Sequence, residues 1–309
     1  NAKEQFQIEG LVHGGIQSKF QKDKFENICS KLNLKVIAPL WDTDPEIIKL
    51  FGNISIRWYS LLFAGGLVAG FQVSKNLFLT DRWSMEDIDK LALFVFIATI
   101  LGARLGHCLF YEPDYYLSHP LEMLLPFTWK SGSFEMTGFR GLASHGGIFG
   151  VLLAIWLFSK KYNKPIFSIL DIAAVGGSLA ATFIRLGNFM NSEIIGKATG
   201  SDIGIVFKKV DSIPRHPGQL YEAFAYFTLF ITLFYLYKKK KNLFGHGFIF
   251  GLFFTLLFTA RFVIEYFKEN QVGFENALSF NMGQLLSIPF IIGGLIVMYK
   301  KQKKTEHKS

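Results

Sequence analysis

Phe167–Phe189, F-S-I-L-D-I-A-A-V-G-G-S-L-A-A-T-F-I-R-L-G-N-F, is an apolar run that ends in an arginine and an asparagine. At about 1.5 Å per residue, a helix of this length crosses a hydrocarbon core of roughly 30 Å. Outward from it, windows of about 19 residues find further runs near 54–73, 91–111, 143–159, 218–237, 246–266 and 283–299. Half of the 309 residues are apolar and 34 are Phe. Mean hydropathy is +0.29, whereas a soluble domain of this size carries more charge. The pattern predicts an all-α, polytopic membrane protein with seven transmembrane helices and a small outer (periplasmic) loop region.

A net charge of +9 raises the question of nucleic acid. The cations are spread over short loops instead of forming a patch, which excludes that partner. Working back from the tail, alternate loops hold Lys238–Lys241, then Lys160, Lys161 and Lys164, then Lys75, Arg82 and Lys90. With the tail lysines they outnumber by roughly two to one the cations of the longer opposite loops, 112–142, 190–217 and 267–282. The positive-inside rule then puts the C-terminus in the cytoplasm and the start of the first helix outside. Cys29 and Cys108 show no metal-ligand spacing and no pairing context, so neither is read as a disulfide or a zinc site. Cys108, inside an apolar run, reads as a small core residue. No cleavable signal is visible ahead of Ile54.

Ionisable groups inside spans are expensive and usually face a partner or a wet cavity. Here they recur at matching places. Arg57 and Tyr59 open the first run, Arg104 and His107 close the second, and His145 opens the third. Arg185 and Asn188 close the fourth, Gln219 and Glu222 open the fifth, Arg261 and Glu265 close the sixth, and Gln284 opens the seventh. Odd runs start outside and even runs end outside, so all of these gather near the outer leaflet while the inner halves are expected to stay almost purely apolar. Several arginines at headgroup depth suit a phosphate, which guanidinium grips as a fork. Arg261 and Glu265 stand i,i+4 and are expected to pair on one helical face. His145, followed by Gly146 and Gly147, is suited to proton transfer near neutral pH. Beyond Arg185, Asn188, Asn191 and Glu193 read as a polar wall beside a glycine-permitted bend at Gly187.

At these residues the chain resembles the bacterial prolipoprotein diacylglyceryl transferases. Arg185–Gly196, R-L-G-N-F-M-N-S-E-I-I-G, is similar to their signature G-R-x-G-N-F-x-N-x-E-x-x-G, with Ile184 in place of the first Gly. Further agreement comes from W-D-T-D-P-E-I…I-R-W-Y-S (Trp41–Ser60), G-A-R-L-G (Gly102–Gly106), S-H-G-G-I-F-G (Ser144–Gly150) and H-P-G-Q-L-Y-E (His216–Glu222). The last departs from the family's P-S-Q-L-Y-E at Gly218. R-F-V-I-E-Y-F (Arg261–Phe267) and M-G-Q-L-L-S-I-P (Met282–Pro289) complete a resemblance that covers about 41–299. It implies transfer of the diacylglyceryl group of phosphatidylglycerol to the lipobox cysteine of a prolipoprotein signal peptide, in the bacterial inner membrane, with no metal and no cofactor. By matching positions, His145 is the implied base for the thiol, and Arg185 and Arg261 are the implied phosphate binders and catalytic residues. Asn188, Tyr59, Glu193, Glu265, Arg104 and Gln219 are the implied phospholipid contacts. Water or the departing phosphate is an alternative acceptor for the thiol proton.

A lipid or small-anion transporter would use similar arginines, but its site is expected near the midplane of a repeated fold, and no repeat relates the two halves. A phospholipid hydrolase is a third reading. Residues 1–40 look like an N-terminal extension. Gly14–Trp41 resembles part of the ATP-pyrophosphatase domain of diphthine–ammonia ligases, without the Gly-rich loop that holds ATP. The expected organisation is therefore 1–40 extension, 41–299 transferase and 300–309 basic cytoplasmic tail.

Overall fold

Each of the seven apolar runs folds as a helix. The computed structural model describes residues 55–125, 141–200, 204–240, 243–269 and 280–306, with short strands at Gly10–Val12, Lys35–Ile37, Glu46–Lys49, Phe127–Lys130 and Ser133–Met136. Cys29, and most of Gly14–Trp41, lie outside the described residues. The helices are α1 (Trp58–Thr80), α2 (Met85–Phe110), the short α3 (Pro113–Ser118) and α4 (Pro120–Leu124), α5 (Ser144–Lys161), α6 (Ile166–Met190), α7 (Gly218–Lys240), α8 (Phe248–Ile264) and α9 (Met282–Glu306).

Among the described residues, six helices are long and apolar enough to cross a membrane: α1, α2, α6, α7, α8 and α9. The run expected at 143–159 is α5, of 18 residues. Its apolar stretch is cut short by Ser144–Gly147 at one end and by Lys160 and Lys161 at the other, so the expected seventh span falls below the other six.

Local chemistry sets the ends. Ser84 caps α2 by accepting the Asp87 N–H, and Glu86 and Asp87 sit in the first turn, where the helix dipole favours anions. Asn281 and Gln284 satisfy each other's backbone N–H across the start of α9, a reciprocal cap. The first run extends seven residues past its expected end at 73, because Leu77 and Phe78 are buried on α1. They override the polar Ser74–Asn76.

The helices associate through small residues, as expected where hydrocarbon offers no hydrophobic drive. Gly102 on α2 and Gly146 on α5 face each other so closely that a side chain on either would strike the other's carbonyl. Gly70 on α1 and Gly176 on α6 repeat that arrangement. Contacts between α2 and α5 run from the Ala143 N–H on the Ala103 carbonyl to Phe158 against Phe94. α6 is the central helix, with α1, α7 and α8 all against it. The apolar core lies toward one end of the bundle, where Leu77, Ile88, Phe158, Ile169, Leu233 and Phe248 meet.

Candidate functional site

The opposite end is polar. At the C-terminus of α6, one turn separates Arg185 from Asn188, and Arg185 Nη1 donates to Asn188 Oδ1 at 3.3 Å. The Asn188 amide donates to Glu193 Oε2 at 3.0 Å and the Asn191 amide to Glu193 Oε1 at 3.1 Å. The chain reverses here through Ser192 (φ 57°) and Ile194 (φ 55°). A β-branched residue rarely enters this left-handed region, and such strain persists only where the surroundings impose it. The Tyr59 ring lies over Gly187, where an added Cβ would meet it at 3.0 Å.

Glu222, near the start of α7, is fully buried at 0% exposure and is the hub. Its Oε2 lies 3.0 Å from Arg185 Nε, and its Oε1 accepts from Lys268 Nζ at 2.8 Å and from the Tyr226 hydroxyl at 3.4 Å. Lys268, only 2% exposed, also donates to Glu265 Oε2 at 3.2 Å. The charges alternate as Arg185, Glu222, Lys268, Glu265. Burying an ion costs several kcal/mol unless it is well paired; Glu222 Oε1 is hydrogen-bonded, whereas its Oε2 has the Arg185 ion pair but no hydrogen-bond partner among the described residues. Gln219, also at 0% exposure, donates to the Glu193 carbonyl and ties the polar wall to α7.

Arg261 adds a third cation beside this alternation. The expected Arg261–Glu265 pair is absent: Glu265 is engaged by Lys268, and Arg261 makes no ion pair among the described residues. The physical reason is a change of winding. The helix ends at Ile264 and tightens into a 3-10 turn at Glu265–Phe267, which brings Lys268, three residues on, under the Glu265 carboxylate. Glu222 and Glu265 thus engage Arg185 and Lys268, and Arg261 is left as a cation without an ion pair among the described residues, a setting that suits an anionic headgroup.

Other expected members of the site stand apart. Arg104 is 4% exposed, and its guanidinium is committed to backbone, donating to the Met123 carbonyl at 3.1 Å and the Glu122 carbonyl at 2.7 Å, with its plane over Tyr116. It anchors α3 and α4. His145 is exposed at the start of α5, its ring against Phe110 and Tyr111. It occupies the same end of the bundle but touches none of the buried charges. Cys108 is a buried core residue, as expected. At the far end, the expectation of an almost purely apolar inner half is broken at Asp171, which is 4% exposed and accepts from Gly247 N at 2.7 Å and Phe250 N at 2.8 Å.

The segment leaving α6 is clasped to the end of α8. Lys197 N donates to the Phe267 carbonyl, and Gly196 pairs with Lys268 in an isolated bridge. Arg215, nearly buried, donates to Asp211 Oδ1 at 3.2 Å and Oδ2 at 3.0 Å, to the Gly196 carbonyl at 3.2 Å, and to Glu269. The Arg215 hydrogen bonds hold the Asp211 carboxyl below the usual carboxylate range, and Asp211, ahead of Glu269, in turn raises the arginine. Sequence reading missed this clasp and missed Lys268. A loop cation three residues beyond a span's last carboxylate is the signal that pointed to the latter.

Comparison with known proteins is consistent with this geometry. The sequence pattern described as prolipoprotein diacylglyceryl transferase matches residues 45–300. A phosphatidylglycerol–prolipoprotein diacylglyceryl transferase of Bacteroides fragilis is 45% identical over 278 residues, 90% of this chain and 100% of that protein. Proteins of the same description from Tolumonas auensis and Chloroherpeton thalassium are 46% and 38% identical, over 85% and 86% of this chain and 98% and 95% of their own lengths.

Proposed function

The chain belongs to the prolipoprotein diacylglyceryl transferase family, and from that premise we propose how its buried charges serve the transfer. The enzyme moves the diacylglyceryl group of phosphatidylglycerol to a prolipoprotein, the first step of lipoprotein maturation. In the proposed step, the thiol of the lipobox cysteine attacks the glyceryl carbon that bears the phosphate. A carbon–sulfur bond forms, the carbon–oxygen bond to phosphate breaks, and the thiol proton passes to a base. The lipid phosphate begins as a diester with one negative charge and departs as glycerol-1-phosphate, gaining a second.

The observation that carries this reading is an arginine left without an ion pair among the described residues, beside a charge network. Arg185 is held by Glu222 and Asn188, so its fork is oriented. Arg261 has no counter-ion among the described residues and is available to meet the growing charge on the leaving oxygen. Asn188, Glu193, Gln219 and Tyr59 build the wall that fixes Arg185. Glu265 acts as the partner of Lys268, and Arg104 supports α3 and α4. His145, exposed on the α2–α5 side, is the proposed base for the thiol, which would place the peptide on that side and the phosphate on the side of α6, α7 and α8.

The wider frame is proposed with it. The enzyme sits in the bacterial inner membrane with this polar end periplasmic and the tail 300–309 cytoplasmic. α5 crosses as a seventh helix, supported by its run of contacts along α2. Residues 41–299 form the transferase, and 1–40 are an extension outside it. The test is incubation of the purified full chain with labelled phosphatidylglycerol and a lipobox peptide. A thioether-linked diacylglyceryl peptide and glycerol-1-phosphate are expected, with neither product from a Cys-to-Ser peptide. Release of phosphate product without peptide would replace the transferase reading with a hydrolase.

A further inference from the structure

We propose that Lys268 is a positioning residue whose charge keeps Arg261 free for the lipid phosphate. The inference rests on the phosphate-site reading above. Arg261 and Glu265 have the spacing at which arginine and glutamate pair on a helix, and left alone in a low-dielectric site they would be drawn together. The structure pairs Glu265 with Lys268 instead, at 3.2 Å, and the same ammonium group satisfies Glu222 at 2.8 Å. One lysine thus occupies a carboxylate from α7 and a carboxylate from the end of α8. Without it, Arg185 remains held by Glu222, and Glu265 is left buried with Arg261 one turn back, on α8.

Charge arithmetic makes this distinguishable from a structural role. Glu222 and Glu265 occupy Arg185 and Lys268, and Arg261 is left without an ion pair among the described residues. Lys268→Met removes one positive charge at similar length and leaves Glu265 free to capture Arg261. Lys268→Met combined with Glu265→Gln returns the site to the parent net charge and again leaves Arg261 free, although it has fewer ionic contacts than the parent or the single variant. A structural account predicts that the double variant is worse than the single one. The positioning account predicts that it is better, a coupling that only a double-mutant cycle reads.

The experiment measures transfer from phosphatidylglycerol in mixed micelles for Lys268→Met, Lys268→Arg, the double variant and Arg261→Gln, each checked for folding by thermal melting. Lys268→Met is expected to lose at least about tenfold in kcat/KM, with the loss in the apparent KM for lipid as well as in turnover. Lys268→Arg and the double variant are expected to recover to within about threefold of the parent enzyme. A double variant no more active than Lys268→Met, or an unaffected Lys268→Met, overturns the inference. Arg261→Gln separates the two levels. If it retains turnover, the phosphate-site reading itself fails; if it is inactive while Lys268→Met is unaffected, only the role of Lys268 falls.

Discussion

Both ends of the helical bundle bury charge, and they do so differently. At the end near the apolar core, each carboxylate is matched to its own donor. Asp171 accepts the N–H groups of Gly247 and Phe250 at the start of α8, Tyr237 donates to Asp81 at 2.6 Å, and Lys164 meets Asp87 at 2.6 Å. These contacts close helix termini and join α7 to α1, and the α5–α6 turn to α2. At the other end, Glu222 and Glu265 share two cations, Arg185 and Lys268, and a third, Arg261, has no counter-ion among the described residues. Buried polarity alone therefore does not mark a site in this protein. What sets the polar end apart is Arg261, a cation without a counter-ion among the described residues.

The sharpest way to break that contrast is to keep charge and change shape at the open end. Arg185→Lys and Arg261→Lys each retain a cation but lose the fork. Losing a preorganised charge-assisted contact of roughly 2–4 kcal/mol corresponds to about thirty- to a thousandfold in turnover. Both variants are expected to insert and melt normally while turnover falls by that factor. Near-normal turnover in both would make the two ends alike.

The closed end should respond in the opposite sense. Asp171→Ala strands two backbone donors at the start of α8, which costs about 1–3 kcal/mol. The expected result is a lowered melting temperature with unchanged turnover per folded molecule. A selective loss of turnover at constant melting temperature would bring Asp171 into the chemistry and dissolve the distinction.

The smallest effect belongs to the clasp beside the site. Asp211 is depressed by Arg215, so its contribution is complete above the ordinary carboxylate pKa of about 3.9 and fades as pH falls through its lower folded value. Hydrogen exchange across 191–217 should quicken as pH is taken below that value, after correction for intrinsic rates. Asp211→Asn should show the faster exchange already at pH 7, and equal protection in the variant would remove the clasp from the account.

Much of this was legible in the sequence because bilayer thickness and hydrophobicity leave few choices. The runs became helices, and Tyr59, Arg185, Asn188, Gln219, Glu222, Arg261 and Glu265 fell at one end because run order alternates direction. What the sequence did not disclose depends on contacts between segments distant in the chain. Arg104 has the depth of a headgroup ligand, yet carbonyls of α4 nearly twenty residues on claim it. Lys268 reads as a loop cation because nothing local shows that α7 will present Glu222 to it. Asp171 reads as an interruption because its partners are the exposed backbone donors of another helix, which composition cannot reveal. Helical spacing paired Arg261 with Glu265, and a single tightened turn reassigned the glutamate.

Glu222 joins three segments, and that has a consequence for how the protein is made. Arg185, Glu222 and Lys268 emerge from the ribosome in that order, with Lys268 following Glu222 by 46 residues. Arg185 and Glu222 therefore enter the membrane before their last partners have been synthesised, when an unpaired charge in hydrocarbon is at its most costly. Their placement at helix ends lets each one wait in the wet headgroup layer. The network closes only when α8 arrives beside α6 and α7, so the proposed site is complete only after Lys268 has been synthesised.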